Sequence, residues 1–117
     1  MLSPELKAKA EEFKKFFESI PEDRWTDQGN YQKSDDDNCM CALGHLGFRD
    51  RGDNLPGCYN SRNELMEVFN AVKNRILPSF YMDVVSINDG ENPKVRERFG
   101  STPKQRILKV LNEALEL

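Results

Sequence analysis

A helix with two glycines near its middle has to be pressed against something, and one segment of this chain has that character. The stretch Trp25–Phe48, WTDQGNYQKSDDDNCMCALGHLGF, passes from polar loop into a helical run over 39–48 in which Ala42, Gly44 and Gly47 are small. Each glycine costs about 1 kcal/mol relative to alanine in a helix interior. Close approach by another element is the natural offset. The short helix is therefore expected at the centre of the fold, with Leu43 and Leu46 in the core. The acidic run Ser34-Asp35-Asp36-Asp37-Asn38 just before it reads as capping chemistry, since carboxylates there satisfy free N–H groups and complement the positive dipole end. It lacks the alternating oxygen ligands, central Gly and terminal Glu of a calcium loop.

Three other segments are plain amphipathic helices. Ser3-Pro4 opens the first, with Ser as cap and Pro at the first helical position. Leu6, Ala10, Phe13, Phe17 and Ile20 form its apolar stripe, Phe16 widens it, and Pro21 ends it. Ser61-Arg62-Asn63-Glu64 reads as a capping box for the second. Leu65, Val68, Phe69, Val72 and Ile76 give its period, and Leu77-Pro78 stops it. Thr102-Pro103-Lys104-Gln105 opens the third, whose face is Ile107, Leu108, Leu111, Ala114 and Leu115. Between them, FYMDVVSI over 80–87 is β-branched enough for a short strand, although its position also permits a helical turn. Asn88-Asp89-Gly90 is a turn signal, and 91–101 reads as charged loop.

The expected fold is thus mostly α: a compact four-helix single domain over 1–117. The helices fall near 4–19, 39–48, 62–77 and 103–116, with long irregular loops and room for a minor strand pair. Loops this long are uncommon without a role, so 21–38, 49–60 and 88–101 are where binding is expected. With 17 basic and 20 acidic residues the net charge is −3, both signs being interspersed. That balance speaks against a broad nucleic-acid surface, which needs a basic stripe. The start MLSPELKAKAEEF has no apolar core of a signal peptide, and no apolar run approaches membrane-spanning length. Three cysteines, an odd count, suit a reducing cytoplasm better than a disulfide framework.

Several chemistries compete over the cysteines and the histidine. Cys39, Cys41, His45 and Cys58 have the ligand types and number of a structural zinc site, but C-x-C…H…C is not a common zinc spacing. Against this stands the ordinary role of free cysteine as a small buried hydrophobe. Cys41, at a helix N-terminus, is a candidate thiol nucleophile with His45 as base and Asn88 or Asp89 as orienting group. A base one helical turn along reaches back poorly, however, and the acidic run raises a thiol pKa. Arg51-Gly52-Asp53 matches the integrin tripeptide, a three-residue coincidence of no weight. No P-loop, dinucleotide glycine fingerprint, metalloprotease helix or serine elbow occurs, so no cofactor is expected.

Trp25…Gln28-Gly29, then Cys39-Met40-Cys41-Ala42-Leu43-Gly44-His45-Leu46, then Ile87-Asn88-Asp89-Gly90, and last Pro103-Lys104-Gln105-Arg106-Ile107-Leu108…Leu111 form a pattern. It resembles a family of short uncharacterised bacterial and phage proteins. Their marks are a W-x-Q-G turn, a C-x-L-G-A-L helix start, an N-D pair and a terminal R-[VI]-[LI]-x-x-L helix. The likeness spans residues 5 to 116. It departs at His45, where the family usually has a small residue such as Ala, which puts His-based catalysis in doubt as a family property. The resemblance implies that Trp25, Gln28, Cys41, Asn88 and Asp89 meet in one place. It implies no mechanism. The leading expectation is a small cytoplasmic binding protein, encoded by a phage or mobile element, that contacts a host protein and neither nucleic acid nor membrane. The binding candidates are Trp25, Gln28, Asn88 and Asp89. The first alternative is a cysteine-dependent hydrolase or transferase centred on Cys41, and the next are a small-molecule-binding domain and a structural zinc domain. Asn88 and Asp89 also have a purely structural reading, as residues that cap turns through their own side chains.

Overall fold

The computed structural model describes residues 2–26, 40–52, 60–73, 75 and 83–117. Six helices run through them: α1 Pro4–Glu18, α2 Ala42–Arg51, α3 Asn60–Ala71, α4 Val84–Asp89, α5 Pro93–Phe99 and α6 Pro103–Leu115. A single 3-10 turn, Glu22–Arg24, follows α1. Helix α1 lies along α6 and α3, while α4 and α5 pack on α6. Helix α2 sits inside this frame, touching α3, α4 and α6. The Cα radius of gyration is 13.2 Å, the size that close packing gives a chain of this length.

Local chemistry sets most of the ends. Ser3 Oγ accepts from the Leu6 N–H at 3.2 Å, and Pro4 fills the first helical position of α1. Ala10, Phe13 and Phe17 are buried along its inner face. Thr102 Oγ1 accepts from the Gln105 N–H at 3.2 Å to open α6. The return bond of that box is displaced by one residue: Gln105 Oε1 takes the Ser101 N–H at 3.1 Å. Ile107, Val110, Leu111 and Ala114 line the buried face of α6. In α2, every residue from Ala42 to Gly47 is buried, so the small-residue helix is central as its glycines require. It starts at Ala42 rather than 39, because Cys41 is extended and Met40 pairs with Trp25 in an isolated parallel bridge. Asp35, Asp36 and Asp37, the expected caps, lie outside the described residues.

Five expectations need correction. The helix count is six among the described residues, not four. No strand pair forms among them beyond the Trp25–Met40 bridge, and the ambiguous segment is helical from Val84. Asp83 Oδ1 accepts from the Ser86 N–H at 3.0 Å and Gly90 closes the far end, so capping and packing override the β-branched composition. The presumed loop 91–101 contains α5. Asn92 caps it, Pro93 is its first residue and Gly100 ends it, which is the grammar of a helix rather than of a turn. Ser61 is not a cap. It is buried inside α3, its Oγ accepts from Arg49 Nη2 at 2.8 Å, and Glu64 pairs with Lys9 at 2.7 Å. Helix α3 ends at Ala71, short of the expected 77, and tighter i→i+3 bonds carry the chain through Val72 and Lys73.

Two left-handed glycines separate backbone need from space. Gly52, φ 78°, has nothing within 4 Å of where a Cβ would stand. Gly90, φ 58°, would place that carbon 2.5 Å from Arg106 Cζ. Gly52→Ala should cost about 1–2 kcal/mol, the ordinary left-handed penalty. Gly90→Ala should cost about 3 kcal/mol or more, as steric displacement of Arg106 is added. Urea unfolding of the two variants checks the order, and equal losses would contradict it.

Candidate functional site

Asn88, in the last turn of α4, is 1% exposed. Its Oδ1 accepts from the Ala42 N–H at 3.0 Å, a free donor at the start of α2. Its Nδ2 donates to the Thr26 carbonyl at 2.9 Å and to Asp89 Oδ1 at 3.1 Å. One amide thus ties α4 to α2 and to the strand-like segment after the 3-10 turn. Arg106, completely buried on α6, stands behind it. Its Nε and Nη2 each donate at 2.7 Å, to the carbonyls of Ile87 and Asn88, and Nη1 reaches Gly100 O at 3.1 Å. A buried guanidinium is costly to desolvate, and charge-assisted bonds to helix-terminal carbonyls offset that cost.

Trp25 and His45 meet beside this hub. Their ring centroids are 5.3 Å apart, and Phe17 lies 5.4 Å from Trp25 on another side. Trp25 Nε1 donates to Ile20 O at 3.4 Å. His45 Nε2 is 2.7 Å from the Arg24 carbonyl. A carbonyl can only accept, so Nε2 carries the hydrogen. Burial lowers the imidazole pKa below its usual 6.5, against the opposing pull of that carbonyl. Cys41 is also buried, and burial raises its thiol pKa above the usual value. Backbone N–H groups of Gly44 and Leu43 work the other way, and the Asp89 carboxylate adds to the rise.

The structure therefore gathers Trp25, Cys41, His45, Asn88 and Asp89 around the start of α2. Gln28, Cys39 and Cys58 lie outside the described residues, and with them half of the four-ligand zinc set. Among the described residues, no three His, Cys, Asp or Glu side chains are grouped to hold a metal ion. The ring nitrogen of His45 that has a short contact is directed at a backbone carbonyl.

On the outer side of His45 a cleft of about 360 Å³ opens between the ends of α1 and α2. Phe16, Ile20, Pro21, Met40 and Phe48 make its apolar walls, and Ser19, Arg24, His45 and Arg49 its polar ones. Phe48 is 53% exposed. The Arg49 guanidinium lies 4.7 Å over the Phe16 ring, with Nε 3.1 Å from Asp50 Oδ1 and Nη1 3.8 Å from Glu12. The loop 21–38, where binding is expected, supplies Pro21 and Arg24 of this cleft, whereas the helix ends that complete it were missed. The one signal available was Phe16, the apolar residue that overfills the stripe of α1. A second hollow, between α1 and α3, is lined by Glu5, Lys9, Glu64 and Glu67 around Leu6 and Ala8. It has no link to the Asn88 hub, whereas His45 joins the first cleft to it.

The direction of the His45 shift fixes a pH dependence. Its folded pKa lies below the unfolded value, so at acid pH the unfolded chain binds the extra proton. This stability is fully present above about pH 6.5 and is lost as pH falls through the folded value. Melting temperature should drop more between pH 7.5 and 5.5 for the native chain than for His45→Gln, which can still donate to Arg24 O. Equal slopes would contradict the assignment. Comparison of the chain with protein-family models, with curated proteins and with solved structures finds no match, so the site stands on its own geometry.

Proposed function

We propose that the chain is a small cytoplasmic binding protein, of the phage- or mobile-element-encoded kind it resembles, that acts by docking a host protein on the cleft between α1 and α2. One observation carries this reading: Phe48, on the wall of an apolar cleft, leaves 53% of its surface in water. An exposed aromatic beside an apolar hollow is the usual composition of an anchor point in a protein interface. Helix α2 fixes it from behind, since the turns before it are wholly buried. The test is capture of host proteins by the native chain and by Phe48→Ser. A partner held by the former and lost, or weakened at least tenfold, in a folded Phe48→Ser supports the reading. A partner held equally by both removes the cleft from it.

The alternative centred on Cys41 needs an accessible thiolate. Burial works against both requirements, since it covers the sulfur and holds its proton. Alkylation by iodoacetamide at pH 7.5, followed residue by residue by mass spectrometry, should be more than tenfold slower at Cys41 in the folded protein than in urea. Rapid labelling of Cys41 in the folded chain would restore the enzyme reading.

A further inference from the structure

Resting on the docking reading, the chemistry of the cleft narrows the partner: we propose that it takes a segment in which a bulky apolar side chain is flanked by carboxylates, and that Arg24 reads the charge. The apolar walls call for an apolar occupant. Among the described residues, two guanidinium groups line the cleft and no carboxylate does, in a chain whose net charge is −3. Arg49 is already engaged by Asp50, Glu12 and Ser61, so its charge is largely matched.

Arg24 is exposed, and its backbone is held from three sides. Its N–H donates to Pro21 O at 3.0 Å, and its carbonyl accepts from the Met40 N–H at 3.0 Å and from His45 Nε2. The backbone is thus anchored while the side chain stays at the surface beside the cleft. Charge complementarity also decides against a second copy of the chain. A two-fold interface sets the same patch against itself, which would press these guanidinium groups toward one another.

The experiment uses the full chain and two fluorescent peptides with a common Leu-Phe centre, one flanked by two acidic residues on each side and the other by two lysines. Fluorescence polarisation should give at least tenfold tighter binding of the acidic peptide, weakening with added salt. Arg24→Glu should abolish that preference, and Phe48→Ser should weaken both peptides. Equal or tighter binding of the lysine peptide, still sensitive to Phe48→Ser, overturns the charge assignment and leaves the docking reading intact. Binding indifferent to Phe48→Ser overturns both. Absence of binding by either peptide overturns the proposal, as does a concentration-dependent dimer in sedimentation that Phe48→Ser dissociates, which would give the cleft to a second copy.

Discussion

The side-chain amide of Asn88 is the contact on which the site depends. It holds three parts of the chain that are far apart in sequence, using its oxygen on α2 and its nitrogen on Thr26 and Asp89. A buried polar group deprived of its partner costs about 1–3 kcal/mol, and this amide answers for several at once. Its own position is set from behind by Arg106, which holds the carbonyls of Ile87 and Asn88. Arg106 in turn needs the empty space at Gly90. The dependence runs outward from there: the start of α2 places His45, His45 holds the Arg24 carbonyl, and both help to line the cleft.

Burial has one consistent effect on the reactive groups of this region. It raises the Cys41 thiol and lowers the His45 imidazole, and so favours the uncharged form of each. A catalytic pair of this type works through the thiolate–imidazolium form, which burial disfavours at both groups. The two side chains instead suit a packed interior, where His45 lies tilted against Trp25 and fixes a backbone carbonyl. The exposed side chains of Phe48 and Arg24 lie one layer out.

Much of the architecture was legible because period and capping agree. Helices α1 and α6 carry both signals, and two glycines in α2 announce that it is enclosed. Helix α5 was hidden by its own punctuation: Pro93 and Gly100 mark a helix start and stop as readily as a loop. Val84, Val85 and Ile87 suggested a strand because β-branching is a weak preference that a cap and a packed face can override. Ser61 has the spacing of a cap but spends its hydroxyl on Arg49, a partner twelve residues away. Asn88 was noticed as a candidate, yet its turn-capping reading concerned neighbours in sequence. Its partners Ala42 and Thr26 are 46 and 62 residues off. Arg106 drew no notice as a site residue, since a single arginine in a helix reads as surface until its burial is seen.

That distance has a consequence for how the chain acquires its shape. The first N–H of helix α2, that of Ala42, is met by the Asn88 side chain, 46 residues further on. The oxygen that completes its first turn arrives on a segment synthesised long afterwards. Closing so long a loop is entropically expensive, and contacts of this separation form slowly. Phe48 and His45 therefore take up their places only as the later part of the chain docks. A product ending before residue 88 would lack this lock, and the start of α2 beside the cleft would not be set.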